Sequence, residues 1–91
     1  MYKTFRKIAT VDAKLFEPGD EDGITTPADK AVPRALLDTI TNPEEPIPFI
    51  TTIESQRHFG LFGKYYVCKG IDGERWLVEK GIFERTYEEV K

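Results

Sequence analysis

The sequence predicts an α+β domain: a small antiparallel, partly barrel-like sheet of four to six strands with one helix packed on it. Three observations carry this. Two β-prone runs, Tyr65-Tyr66-Val67-Cys68 and Arg75-Trp76-Leu77-Val78, flank Asp72-Gly73, the strongest short hairpin signal. Apolar residues alternate with polar ones from Phe5 to Leu15 and again from Ile47 to Glu54. Between those stretches Val32, Leu36 and Ile40 recur every four residues, with Leu37 beside them, as one helical stripe.

In chain order, the first strand places Phe5, Ala9, Val11, Ala13 and Leu15 on one face and Arg6, Thr10, Asp12 and Lys14 on the other. Ile8 and Phe16 break the pattern and reach the second face. Pro18-Gly19-Asp20 ends the strand, and residues 17–26 form a polar, acidic loop. The helix has two candidate starts. Thr26-Pro27-Ala28-Asp29 offers a cap, a first-turn proline and an acid near the positive end. Alternatively Pro33 opens it and it runs to Ile40, because proline interrupts a helix interior. Asn42-Pro43 stops it, and Pro43, Pro46 and Pro48 make the next segment stiff and extended. The strand after that puts Phe49, Thr51 and Ile53 on one side. In the hairpin, a two-residue turn pairs Cys68 with Leu77 and Val67 with Val78. A three-residue turn with Gly73 as a bulge pairs Val67 with Leu77 instead. After Gly81 a short helical turn leads into a short edge strand. Closing the sheet around Phe5, Val11, Phe49, Ile53, Val67 and Val78 protects its edges.

Ninety-one residues is one small domain, burying roughly 60–65% of its unfolded surface. That leaves little room for a deep cofactor pocket, and no cofactor or metal is expected. No run approaches the roughly 18 apolar residues of a membrane span, and Met1–Lys7 is not a signal peptide, so a cytoplasmic location is expected. The net charge of −3 is uneven: residues 1–16 carry +3, residues 17–54 carry −7 and residues 55–91 carry +1. Net negative charge disfavours nonspecific nucleic-acid binding, which depends on neutralising phosphates.

Candidate chemistry is sparse. His58, the sole histidine, sits in Ser55-Gln56-Arg57-His58-Phe59 and reads as a surface-loop residue. Cys68 excludes an internal disulfide and reads as a small buried hydrophobe rather than a nucleophile activated by His58. Asp20-Glu21-Asp22-Gly23 fails as a calcium loop, because alignment on Gly23 puts Pro18 at the first ligand position. Gly60-Leu61-Phe62-Gly63-Lys64 lacks the spacing and hydroxyl of a phosphate loop. These observations argue against an enzyme. The candidate binding surface is Glu17, Asp20, Glu21 and Asp22 in the acidic loop with Lys69, Arg75 and Trp76 on the hairpin. Basic and aromatic residues interleave on that hairpin, as in single-strand nucleic-acid binders.

The C-terminal half resembles a family of small phage and prophage proteins. The residues that carry the resemblance are Gly63-Lys64-Tyr65, Gly70-Ile71-Asp72-Gly73-Glu74, Trp76 and the ending Ile82-Phe83-Glu84-Arg85-Thr86-Tyr87-Glu88. Pro48-Phe49-Ile50-Thr51-Thr52-Ile53-Glu54 is similar to the strand that precedes this unit, and Val11-Asp12-Ala13 also fits; the resemblance covers about two-thirds of the chain. The family often has Gly-Asp-Tyr where this chain has Gly63-Lys64-Tyr65, and residues 18–46 look like an insertion. The resemblance implies no catalytic residues. It implies a phage- or prophage-encoded accessory protein that binds a host or phage protein, with host takeover or counter-defence as its setting. A single-stranded nucleic-acid or nucleotide binder is the alternative, and a minor phage structural or assembly protein the second alternative.

Overall fold

The computed structural model describes residues 1–6 and 10–90. The described strands and helices are β1 (Asp12–Leu15), β2 (Gly23–Thr25), α1 (Arg34–Leu37), β3 (Ile47–Thr51), β4 (Arg57–Phe59), β5 (Tyr65–Lys69), β6 (Arg75–Glu79) and α2 (Lys80–Thr86). The six strands form two three-stranded antiparallel sheets, ordered β1-β5-β6 and β2-β3-β4. This corrects the expected α+β, partly barrel-like sheet with one helix. Among the described residues helix accounts for only 13%, and no closed barrel forms. The strands are three to five residues long, and β6 meets β3 and β4 by packing rather than by a ladder. A barrel needs an unbroken ring of hydrogen bonds, which this arrangement lacks.

The hairpin β5–β6 takes the three-residue turn. Val67 pairs with Leu77, Cys68 with Trp76 and Lys69 with Arg75. Gly70 N–H donates to Glu74 O (2.9 Å), Gly73 N–H donates to Gly70 O (3.1 Å), and Gly73 has φ 82°. Only glycine reaches that conformation without steric cost, so Gly73 supplies the bulge. The ladder continues beyond the strand ends. Phe16 N–H donates to Tyr65 O and Gly63 N–H donates to Phe16 O, each at 2.8 Å.

The N-terminal strand is shorter than its alternation suggests. It comprises Asp12–Leu15, and Phe5 is 86% exposed; Ile8 and Ala9 lie outside the described residues. Phe16, on the face opposite the expected apolar row, is the side chain that is fully buried, with its ring 5.0 Å from that of Phe62.

The helical stripe is correct in content but not in length. Pro33 sits at the N-cap with ψ 146° and α1 is a single turn, so the second of the two candidate starts holds. Val32 and Leu36 nevertheless join Ile47 and Phe59 in one buried cluster, flanked by Leu37, Ile40, Phe49, Leu61 and Tyr65. Here an apolar stripe is held by burial against β3 and β4 rather than by helical length, since one isolated turn has little stability of its own.

β3 is buried on both faces. Ile47 and Ile50 are fully buried, whereas Thr51 is exposed and Ile53 is 70% exposed. The expected row Phe49-Thr51-Ile53 therefore fails beyond Phe49, because the chain leaves β3 at Thr51 and turns. The observed core is Phe16, Val32, Leu36, Ile47, Ile50, Phe59 and Cys68. Phe5 and Ile53 are excluded from it. At the C-terminus, α2 replaces the expected turn and edge strand. Glu79 caps it, its carboxylate accepting from Gly81 and Ile82 N–H at 2.9 and 3.2 Å. Phe83 then stacks between Tyr66 and Tyr87, centroids 4.2 and 4.7 Å apart.

Candidate binding groove

The acidic loop is tied down by its own fold. The Asp20 carboxylate accepts from Glu17 N–H (3.0 Å) and from Lys14 Nζ (3.1 Å). The Glu17 amide, then Lys14, holds that carboxyl below the usual range against a desolvation that opposes it. Glu21 accepts from Gly19 N–H at 2.7 Å. Asp22 Oδ2 accepts from Thr51 N–H (2.6 Å) and from Arg75 Nη2 (2.7 Å). Glu17 remains exposed. Of the residues that the sequence singled out in the loop and on the hairpin, Asp22 and Arg75 pair with each other, whereas Asp20 is held by Lys14. Lys14, Asp20, Lys69 and Arg75, with Asp12, Ala13 and Val67, line a shallow depression of about 380 Å³ on the first sheet.

A second clip lies on the other sheet. The Asp29 carboxylate accepts from Arg57 Nη1 (2.7 Å) and Nη2 (3.3 Å), from Thr25 Oγ1 (2.8 Å) and from Ala31 N–H (2.9 Å). Hydrogen bonds from Arg57 first, then from Ala31 and Thr25, lower its pKa to about 2. The Arg57 guanidinium lies 5.2 Å from the Phe49 ring centroid and 5.1 Å from that of Phe59. This site was not legible from sequence, because the carboxylate and guanidinium are 28 residues apart.

The hairpin cations and rings separate. Lys69 and Arg75 are cross-strand partners on one face of the hairpin, and Cys68 and Trp76 are partners on the other. A stacking surface flanked by cations needs both on one face.

Two turns of matching geometry stand side by side. In Thr52–Gln56, Thr52 N–H donates to Gln56 O (2.7 Å) and Ser55 N–H to Thr52 O (2.9 Å), with Ser55 at φ 62°. In Gly70–Glu74 the same two bonds recur, with Gly73 at the left-handed position. Each tip carries an exposed isoleucine, Ile53 (70%) or Ile71 (83%), followed by an acid, Glu54 or Asp72. Between the tips lies a groove of about 290 Å³, lined by Trp76, His58 and Ile53 with Glu54, Asp72 and Glu74 among its polar walls. Among the described residues, neither Glu54 nor Asp72 has an ion-pair partner. Sequence reasoning identified Trp76 and Arg75 but missed the partner tip. Ser55 in the left-handed region is the one local oddity there, and backbone strain of this kind gathers at functional loops.

His58 lies in β4, half-buried opposite Ile50, rather than in a surface loop. Cys68 is fully buried. Among the described residues no three His, Cys, Asp or Glu side chains converge as a metal site, and no helix is long and apolar enough to cross a membrane. Comparison with protein-family models, curated proteins and solved structures gives no match for this chain.

Proposed function

We propose that this chain is a phage- or prophage-encoded accessory protein that acts by binding another protein rather than by catalysis. The observation that carries the reading is the groove between the two tips. It is open, it holds the sole tryptophan, it is lined by the exposed Ile53, and a second exposed isoleucine, Ile71, stands at the other tip. Exposed apolar side chains around an aromatic anchor and rimmed by polar groups are the usual anatomy of a protein contact. The resemblance of residues 63–88 to phage proteins supports a host or phage protein as the partner. The acidic loop supports it less directly than its composition suggests, since Asp20 and Asp22 already hold Lys14 and Arg75.

The test is capture from host lysate on immobilised protein, wild type against Ile53→Ser. That side chain is outside the core, so the substitution leaves the fold intact. A partner retained by the wild type at micromolar concentration and lost by Ile53→Ser is expected. Capture that is empty, or the same for both, counts against the reading. A mobility shift of labelled single strands at low salt would favour the nucleic-acid alternative instead.

A further inference from the structure

We propose that β1 is an interaction edge that pairs with the same strand of a second copy of this chain, antiparallel and centred on Ala13. This edge belongs to the first sheet and does not involve the groove between the tips. Among the described residues β1 has one neighbour, β5, so its other side is a sheet edge. Phe16 N–H donates to Tyr65 O at 2.8 Å, and antiparallel ladders alternate residues that bond inward with residues that bond outward. Lys14 and Asp12, in step with Phe16, therefore bond to Val67 and Lys69, whereas Ala13 and Leu15 turn their N–H and C=O groups away from β5. The other side of β5 agrees. Gly70 N–H donates to Glu74 O, which sends Tyr66 and Cys68 toward β6 and Val67 and Lys69 toward β1. Ala13 is exposed. The loop after β1 leaves the edge open because it crosses the face of the sheet: Asp20 bonds Lys14, and Asp22 reaches Arg75 on β6, the far strand.

The charges on β1 select both the occupant and the register. Outward-bonding residues must face one another, which leaves three two-fold centres within Asp12–Lys14. Centred on Asp12, the pairing sets two carboxylates face to face; centred on Lys14, it does so with two ammonium groups. Centred on Ala13, Asp12 of each copy lies opposite Lys14 of the other, twice over by symmetry. Ala13 then exchanges both backbone bonds with its own copy, and Val11 does the same with Leu15 across the axis. Asp12 and Lys14 fall in the non-hydrogen-bonded pairs, where Cα atoms approach to about 4.5 Å and side chains meet most closely. Asp12 thereby lies between Lys69 of its own β5 and Lys14 of the second copy. A lysine on an edge strand ordinarily guards against pairing, but opposite a carboxylate it favours it. The Lys14 side chain is 57% exposed and its ammonium has three donors, so the bond to Asp20 leaves it able to reach the second copy. The two three-stranded sheets then join, β1 to β1, into one continuous sheet.

The test is the mass of the full chain by sedimentation equilibrium from about 10 µM to about 1 mM, since a contact this small lies at the weak end of association. A mass that rises with concentration toward that of a dimer is expected. Asp12→Lys alone and Lys14→Asp alone set like charges across the edge, and each should weaken association about tenfold or more. Mixed in equal amounts, the two variants oppose unlike charges at both positions, and the mixture should associate at least as well as the wild type. Ala13→Pro removes an N–H that points away from β5, a place where an edge strand admits proline, and should yield a monomer. Circular dichroism checks the fold of each variant; if Ala13→Pro does not fold, the mixture decides alone. A chain that stays monomeric to about 1 mM overturns the proposal and leaves the edge to a strand of another protein. A dimer that survives Ala13→Pro, or a mixture that associates no better than either variant alone, overturns it as well.

Discussion

At the scale of single residues, Asp20, Glu21, Asp22 and Asp29, four of the nine carboxylates of the acidic middle, hold the fold together. Asp29 illustrates the consequence. Its folded pKa of about 2 lies below the ordinary value of 3.8, so the unfolded state binds more protons in between. Its contribution is therefore complete above about pH 4 and is lost as pH falls toward 2. Thermal unfolding from pH 5 to 2 should show a falling Tm, and Asp29→Asn should lower Tm at pH 6 while flattening that slope. An unaltered slope would remove Asp29 as its source. The Asp22–Arg75 pair is about one-third exposed on each side. Asp22→Asn should cost only about 0.5–1 kcal/mol in urea unfolding, as exposed ion pairs do. Ser55 is the opposite case. At φ 62°, glycine relieves strain, so Ser55→Gly should raise stability by up to about 1 kcal/mol, and a loss would show that the serine side chain matters more than its backbone. None of these roles was readable from the linear chain. Asp20-Glu21-Asp22 reads as a solvated run because Arg75 lies 53 residues from Asp22.

At the scale of elements, legibility depended on whether the deciding interaction was local. The hairpin at Asp72-Gly73 was plain, since turn dihedrals belong to the turn residues themselves. Its register was not, because two- and three-residue turns both suit that dipeptide; the close of Gly70 onto Glu74 selects the bulged form. Gly73→Ala should cost about 1 kcal/mol and Gly73→Asn less, measured by chemical denaturation. Equal costs would mean that φ is not the constraint. The C-terminal element was ambiguous for a different reason. Phe83, Tyr87 and Val90 fit a helix, whereas Phe83, Arg85 and Tyr87 fit a strand. The choice falls to Glu79, whose side chain caps two N–H groups, and to Tyr66, which receives the Phe83 ring. Tyr66 is contributed by β5, outside the element it decides.

At the scale of the whole molecule, the two sheets meet where β6 approaches β3 and β4, and Gly60, just after β4, lies tight against Tyr65 of β5 and Leu77 of β6. A Cβ there would lie 2.9 Å from the Tyr65 ring and 3.0 Å from Leu77 Cδ1. Gly60→Ala should therefore destabilise by about 1–3 kcal/mol, as overpacking does, and a neutral result would show that the sheets can part at little cost. The segment 18–46 matters at this scale as well. It supplies β2 and the buried Val32 and Leu36, so its deletion should abolish cooperative unfolding rather than trim a surface loop. Leu36→Ala should cost about 2–4 kcal/mol for the same reason. The sequence by itself determined the hairpin, the β-prone runs, the apolar stripe and the buried cysteine, because dihedral preference and side-chain polarity are carried by adjacent residues. Only the tertiary structure decided that six short strands split into two sheets, that Asp20 and Asp22 pair with Lys14 and Arg75, and that a second tip lines the same groove as the hairpin tip and Trp76. Those outcomes rest on contacts between residues far apart in the chain, where many pairings satisfy the same local preferences and packing selects one.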